Sequence, residues 1–225
     1  MAIAYRTATY NTSSGTSLSI NVPAAVQDGD FLVLFAAADS ATSITLPAGW
    51  TQLPSSPLNQ GVRAACAYRI ASSEPASYSI TFSGSVSGIG AALVAYYDTV
   101  PLELDSSGGN TFATSTTHTL TGISASGANE MLVCCFASDA TTTYTPPSGM
   151  TGRLGFQFAA GSATAMVCDV IQASAGASGN KSATTTVADD GAGFILFIRP
   201  AIVPLSDSQS LATDVSEGEA LDLQV

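Results

Sequence analysis

The sequence predicts an all-β protein made of two tandem β-sandwich repeats, of the jelly-roll or immunoglobulin-like kind, followed by an extended C-terminal arm. Three observations predict this fold. Apolar residues recur with strand periodicity, clusters of glycine, proline, serine and asparagine interrupt the chain at short intervals, and one segment occurs twice. We therefore expect domains at residues 1–104 and 105–205 and an acidic arm at residues 206–225.

The repeat is clearest where residues 31–51 align without a gap with residues 131–151, with nine identical pairs among twenty-one. The similarity continues outward, because residues 88–102 parallel residues 191–205 and both segments close on Val-Pro-Leu. Two copies of one unit are therefore predicted to fill residues 5–205.

The strand patterns are of two kinds. Residues 17–22 (SLSINV) and 78–82 (YSITF) alternate apolar and polar side chains, which is typical of a strand with one face in water. Other runs are apolar on both faces, which indicates central strands covered on both sides by the opposite sheet and by a neighbouring unit or subunit. These runs are FLVLF (31–35), ALVAYY (92–97), MLVCCF (131–136) and FILFI (194–198).

Each copy contains a turn in which a proline fixes φ, a glycine tolerates positive φ, and the next residue is apolar. We predict that this apolar side chain packs back onto the sheet as part of the core. For the tryptophan of the first copy, a platform that stacks on sugars is the alternative. The turn residues are Pro47, Gly49 and Trp50 in the first copy and Pro147, Gly149 and Met150 in the second.

Composition and charge exclude several classes of partner. Charged residues make up only 10% of the chain, and six Lys and Arg oppose seventeen Asp and Glu, for a net charge of -11. This charge repels phosphate backbones and anionic lipid, so we expect neither nucleic acid nor membrane as a partner. The apolar runs are too short to span a bilayer, and the first residues do not resemble a signal peptide. We therefore expect a soluble protein made in the cytoplasm.

Few residues suggest chemistry. His118 is the one histidine, and no nucleophile motif accompanies it. Asp39 and Asp139 occupy equivalent positions after central strands. They could form an acid–base pair only if the two repeats bring them together, and capping of loops is the alternative role. Asp189 and Asp190 are expected in a turn, because the alternating pattern of a calcium loop is missing. No metal-ligand spacing and no phosphate-binding glycine loop is present, so no cofactor is predicted.

The four cysteines do not have the spacing of a disulfide framework. Two of them are adjacent, so their side chains point to opposite faces of a strand. We predict buried free thiols, because cysteine behaves as a small hydrophobic residue. The cysteines are Cys66, Cys134, Cys135 and Cys168.

The composition changes after Leu205, where residues 206–225 contain five acids and no base. A disordered solubilising tail is one interpretation. Ordering twenty residues costs about 20 to 40 kcal/mol, whereas burying the apolar side chains returns roughly 8 to 15. An assembly arm that pairs with a sheet edge or a neighbouring subunit is therefore the preferred prediction. Its apolar residues are Leu211, Val215, Leu221, Leu223 and Val225.

Four segments of the first copy together resemble a β-sandwich repeat of the structural proteins of tailed bacteriophages and prophages. The second copy departs from them, with Met150 in place of the tryptophan and QASAGASGNKSAT (172–184) in place of the Glu-Pro-Tyr stretch. The resemblance implies a particle component on the capsid or tail and no catalytic residue. The segments are GDFLVLFAAAD (29–39), LPAGWTQL (46–53), IASSEPASY (70–78) and AALVAYYDTVPLEL (91–104).

The sandwich is predicted to begin near Met1 and to carry its extension at the C-terminus, unlike a tail fibre with an N-terminal attachment segment. We therefore expect a non-enzymatic virion protein, a capsid decoration or cement protein that binds copies of itself and other virion proteins. A second hypothesis is a tail-associated carbohydrate- or receptor-binding module that binds a surface glycan through Trp50, Tyr96, Tyr97 and Tyr144. A third hypothesis is a hydrolase that uses Asp39 and Asp139.

Overall fold

The fold is described from a computed structural model, which defines residues 3–41, 43–84 and 86–201. These residues form seventeen β-strands and one three-residue 3-10 helix. Among them, no helix is long and apolar enough to cross a membrane. The all-β prediction is confirmed. The predicted arm lies outside the described residues, with Leu211, Val215, Leu221, Leu223 and Val225.

The first repeat forms a large and a small antiparallel sheet. The large sheet has the order β1-β9-β3-β7-β5, with β6 also paired to β7, and the small sheet has the order β2-β8-β4. The strands are β1 (Ala4–Ser13), β2 (Ser17–Asn21), β3 (Phe31–Asp39), β4 (Ser43–Thr45), β5 (Thr51–Gln52), β6 (Leu58–Gln60), β7 (Val62–Ile70), β8 (Ser77–Ser83) and β9 (Ile89–Tyr97).

The second repeat has the same order of equivalent strands, in agreement with the duplicated sequence. Its large sheet runs β10-β17-β12-β15-β14, with β13 paired to β17, and β11 pairs with β16. The strands are β10 (Leu102–Leu120), β11 (Ser124–Ala125), β12 (Glu130–Ser138), β13 (Tyr144–Thr145), β14 (Thr151–Gln157), β15 (Thr164–Gln172), β16 (Gly176–Ala177) and β17 (Lys181–Pro200), with the 3-10 helix at Ala159–Gly161.

The two large sheets pack face to face around one shared core. Alternate residues of β3 and β12 enter this core at equivalent positions, a hundred residues apart. The other repeat, within the same chain, is therefore the neighbour that covers the doubly apolar strands. The equivalent core residues are Phe31, Val33, Phe35 and Ala37 in β3 and Met131, Val133, Cys135 and Ala137 in β12.

The opposite faces of the large sheets are covered by outer layers from the same repeat. In the first repeat, Leu32 and Leu34 pack with Leu18, Ile20 and Ile80 of the small sheet. In the second repeat, the residues of β12 that point outward pack with the far ends of β10 and β17, where they meet Leu120 and Ala183. Each repeat is thus a sandwich, and the two sandwiches share their large faces.

The second repeat builds its outer layer from continuous strands. The pairing of β10 with β17 shifts register between Phe112 and Thr117, where both strands turn from the large sheet into the outer layer. The first repeat uses separate strands, so that β8 of the small sheet is followed along the chain by β9 of the large sheet. Strand β10 begins at Leu102, so the expected boundary at residue 104 falls inside it.

Candidate functional site

The two proline-glycine turns have closely similar backbones and different packing. Gly49 and Gly149 have φ of 81° and 79°, which is the left-handed region that favours glycine. Trp50 is half-buried and packs against the core of the first repeat. Met150 packs against the core of the second, with its sulfur 4.0 Å from the thiol of Cys168. Pro147 is buried beside it, and its carbonyl accepts a 3.0 Å bond from the Met150 amide.

Trp50 belongs to a cluster that joins two of the motifs in the phage-like resemblance. Its ring lies edge-on to Tyr78 at 5.3 Å, and the Arg69 guanidinium lies 6.0 Å from its centroid. Arg69 donates to the Tyr78 hydroxyl at 2.8 Å and pairs with Glu74 at 3.1 Å, and the Tyr78 hydroxyl donates to Glu74. Burial and the Glu74 carboxylate raise the pKa of Tyr78 to about 12. Pro47 lies half-buried at the start of this turn.

Packing of the large sheets brings Asp39 and Asp139 together. Asp39 ends β3, Asp139 follows β12 directly, and their side chains share a hydrogen bond. Asp39 also accepts from the hydroxyls of Ser40, at 2.6 Å, and Ser87. Burial, followed by the negative charges of Asp39 and its neighbours, raises the pKa of Asp139 to about 7. Asp139 is therefore partly protonated near neutral pH.

Asp189 and Asp190 lie close to this pair, and the four aspartates together are called the acidic junction. Both Asp189 and Asp190 lie in β17 and not in the predicted turn. Gln60 of the first repeat donates to Asp190 at 3.1 Å. Gly61 closes over the carboxylates, because a Cβ there would stand 1.9 Å from the Asp190 Oδ1 atom and 2.8 Å from the Asp139 Cβ atom. The described residues contain no group of three or more His, Cys, Asp or Glu placed to hold a metal ion.

A carboxyl pair that shares a proton can act in general acid–base chemistry where a substrate reaches it. Here the turn at Gly61 packs directly on Asp139 and Asp190. Among the described residues, neither a cavity of about 610 Å³ at β14 nor one of about 220 Å³ beside Pro23 is lined by Asp39 or Asp139. The junction is therefore a packed contact between the repeats.

His118 lies in the core of the second repeat and is completely buried. Its Nε2 atom is 2.9 Å from the carbonyl of Asp189, which can only accept, so this nitrogen carries the proton. Its Nδ1 atom then accepts from the Tyr144 hydroxyl at 2.7 Å, and its ring stacks on Phe112 at 4.7 Å. Burial lowers the pKa of His118, which keeps the ring neutral. This histidine supports packing.

All four cysteines are buried free thiols, as predicted. Cys66 and Cys135 lie in the core shared by the two repeats, and the hydrogen bond between their thiols is the main cause that raises the pKa of Cys135. Cys134 lies directly opposite Cys168 in the pairing of β12 with β15, and burial raises its pKa. Protonated thiols of this kind are poor nucleophiles and poor metal ligands.

The aromatic residues expected at a glycan site are mostly engaged elsewhere. Tyr96 is completely buried and donates a 2.9 Å hydrogen bond to Asp169 across the two repeats. Tyr144 is bound to His118, and Trp50 belongs to the cluster with Tyr78. Tyr97 is 38% exposed, with the Arg6 guanidinium 4.1 Å from its centroid.

A groove lies where β1 of the first repeat meets β14 of the second. It has a volume of about 610 Å³ and is lined by Tyr10, by residues 142–146, by β14 and by the start of β15. Tyr10 is 50% exposed, and its ring stacks on Phe156 at 4.9 Å and 11°. A Cβ added at Gly155 would meet nothing within 4 Å.

The sequence prediction did not include Tyr10. In the segment TATYNTS (7–13) it stands as a single aromatic residue among Thr, Asn and Ser, which is the one signal available in the sequence. The partner ring, Phe156, lies 146 positions later, so only the packing of the two repeats reveals the pair.

Comparison with known proteins gives no relative for this arrangement. No protein-family model, no curated protein and no solved structure matches the chain.

Proposed function

We propose that this protein is a non-enzymatic structural component of a bacteriophage particle, a capsid decoration or cement protein whose copies bind the shell and one another. One observation carries the proposal: the side chains with the greatest capacity for chemistry are used in packing. His118 bonds to Tyr144 and to the backbone, Asp139 bonds to Asp39 across the repeats, and Cys135 lies in the shared core.

The phage-like motifs support the same proposal through their packing. Trp50 of one motif and Glu74 and Tyr78 of another join a single cluster through Arg69. Packing within this cluster is sufficient reason for these residue types to occur together in this chain, which supports the proposal.

The exit point of the chain supports the assembly role of residues 206–225. Pro200 pairs with Leu102 at the start of β10, which is an edge strand of its sheet. The amide of Ala201 donates to the carbonyl of Pro101 at 2.7 Å. The last described residue, Ala201, therefore lies beside an edge strand, and this position supports an assembly role for the acidic segment that follows in the sequence.

Deletion of residues 206–225 tests the proposal. We expect an intact sandwich by circular dichroism and thermal melting, together with loss of binding to particles in a co-sedimentation assay. Two full-length variants separate the contributions: serine at Leu211, Val215, Leu221, Leu223 and Val225, and amides at the five acids. Under the proposal the serine variant loses binding. Unchanged binding after the deletion contradicts the proposal.

A hydrolase is the second candidate, because Asp39 and Asp139 meet and the pKa of Asp139 lies near 7. This candidate predicts turnover that falls at least about a hundredfold in Asp139→Asn and Asp39→Asn. A turnover screen over glycosides, esters and peptides measures it. Activity that is unaffected by alanine at both positions excludes this candidate.

A further inference from the structure

Tyr10 presents a fixed aromatic surface to solvent. One face of its ring stacks on Phe156, which is 5% exposed, and the ring as a whole is 50% exposed. The contact holds the ring in place, so a ligand that covers the other face loses little side-chain entropy on binding. Tyrosine is enriched at interfaces, because its ring offers apolar surface and its hydroxyl can find a polar partner.

The floor of the groove is kept open by glycine. Gly155 lies within β14, an edge strand that pairs only with β15, and its φ is not in the left-handed region. Backbone geometry therefore does not require glycine at this position, and a Cβ added there would meet nothing within 4 Å. What glycine provides here is the room itself.

At the opposite edge of the molecule, the equivalent space between the two repeats is filled by side chains. There β10 meets β6, and Gly109 lies where Ser55 and Leu58 pack against it, with the Leu58 Cδ1 atom 3.0 Å from a Cβ placed on the glycine. The first repeat fills its edge with residues from the segment before β7. The second repeat leaves the corresponding space open beside Tyr10.

The rim of the groove is polar. The arginine that lines the groove is paired with a carboxylate, so it does not offer an unpaired positive charge. Thr143 and Gln157 are exposed at the rim, whereas Met166 and Pro146 add apolar surface. Arg153 pairs with Asp169 at 2.8 Å and lies over the ring of Tyr5 at 4.3 Å. A matching ligand is uncharged, with one flat apolar face and many hydroxyl groups at its edge.

We propose that the groove between β1 and β14 binds a neutral carbohydrate chain, with a pyranose ring stacked on Tyr10 and its hydroxyls bonded to Thr143 and Gln157. The CH groups on one face of a pyranose give it the flat apolar surface that Tyr10 matches. The volume of about 610 Å³ lies within the usual range for small-ligand sites and accommodates a short oligosaccharide. This binding role is additional to assembly, because the residues proposed to contact the sugar, Tyr10, Thr143 and Gln157, lie outside residues 206–225.

A panel of immobilised oligosaccharides, built from neutral hexoses and N-acetylhexosamines, tests the proposal with the full-length chain. We expect binding to at least one class of the panel. Tyr10→Ala weakens it about tenfold or more, as loss of a stacking platform does. Gly155→Val fills the groove and weakens it to a similar extent, while valine suits a strand and keeps the fold.

Ile70→Ala is the matched control, because it removes an exposed apolar side chain outside the groove and leaves binding unchanged. Thermal melting of each variant checks the fold, and Gly155→Val decides the result if Tyr10→Ala unfolds. Absence of binding across the panel, or binding that survives both groove substitutions, overturns the proposal. So does binding of an extended peptide along the edge of β14, seen as slowed amide exchange at residues 151–157, without any sugar binding.

Discussion

The two repeats have the same strand order and differ most at their free edges. In the first repeat, the edge is broken into the short strands β5 and β6, and Leu58 packs over Gly109 of the other repeat. In the second, β14 is continuous, and Gly155 and Tyr10 both line an open groove. Duplication thus preserves the faces that hold the repeats together and allows the edges to diverge.

The two proline-glycine turns likewise have similar backbones and different side-chain packing. Trp50 is held by a charged and aromatic cluster with Arg69, Glu74 and Tyr78, whereas Met150 meets mainly apolar side chains and the thiol of Cys168. The similar backbones at Gly49 and Gly149 therefore do not require similar packing of the next side chain. Methionine is flexible and can fill a space whose shape would not suit an aromatic ring.

The largest effect is expected where the repeats are most alike. Phe35→Ala removes a ring whose centroid lies 6.1 Å from the ring centroid of Phe194 in the other repeat. This substitution should lower the free energy of unfolding by about 3 to 5 kcal/mol. Because the shared core joins both repeats, we expect one cooperative transition in urea, followed by circular dichroism and by intrinsic fluorescence.

Leu34→Ala is the comparison, since Leu34 points into the core of the first repeat alone. It should also leave a single transition, with a loss of about 2 to 5 kcal/mol. Two separate transitions, of which only one moves in Phe35→Ala, would show that the repeats unfold independently and that the shared core is weak.

A smaller effect distinguishes the two turns. Trp50→Ala should cost about 3 kcal/mol and Met150→Ala about 2 kcal/mol, because both side chains are half-buried and the tryptophan also loses its contacts with Tyr78 and Arg69. Thermal and chemical denaturation measure both. In a double-mutant cycle, Trp50→Ala should couple to Tyr78→Phe, and Met150→Ala should not. Equal coupling for both turns would mean that the cluster contributes nothing specific.

The smallest effect concerns pH at the acidic junction. Folding raises the pKa of Asp139 from 3.8 to about 7, so the folded chain binds more protons than the unfolded chain between these values. The contribution of Asp139 to the free energy of unfolding therefore falls as pH rises through this window, and the penalty is complete above pH 7.

Asp139→Asn should remove this penalty, because the amide can donate to Asp39 in place of the shared proton. After allowance for solvent screening, we expect a gain of about 1 to 2 kcal/mol at pH 8 and little change below pH 4, measured by urea unfolding across the pH range. Asp28→Asn, at an exposed carboxylate that accepts from the Ser73 amide, is the control for the same substitution away from the junction. An Asp139→Asn profile parallel to that of the unmodified chain would contradict this explanation.

The sequence predicts the strands better than their arrangement. The alternating pattern of residues 17–22 and the doubly apolar run of residues 31–35 each identify a strand and the number of its covered faces. What covers the second face is not encoded locally, because the contact between Phe35 and Phe194 joins residues far apart in the chain. The same limit explains why Tyr10, whose partner Phe156 belongs to the other repeat, was not predicted.

The shared core has a consequence for how such a molecule arises. Equivalent positions of β3 and β12 contribute to one contact, which is the pattern of a symmetric dimer interface, in which the same patch serves both partners. A single ancestral unit with this face would associate in pairs, and only at sufficient concentration. Fusion of two units into one polypeptide makes the pairing independent of dilution, and it releases each half to evolve separately.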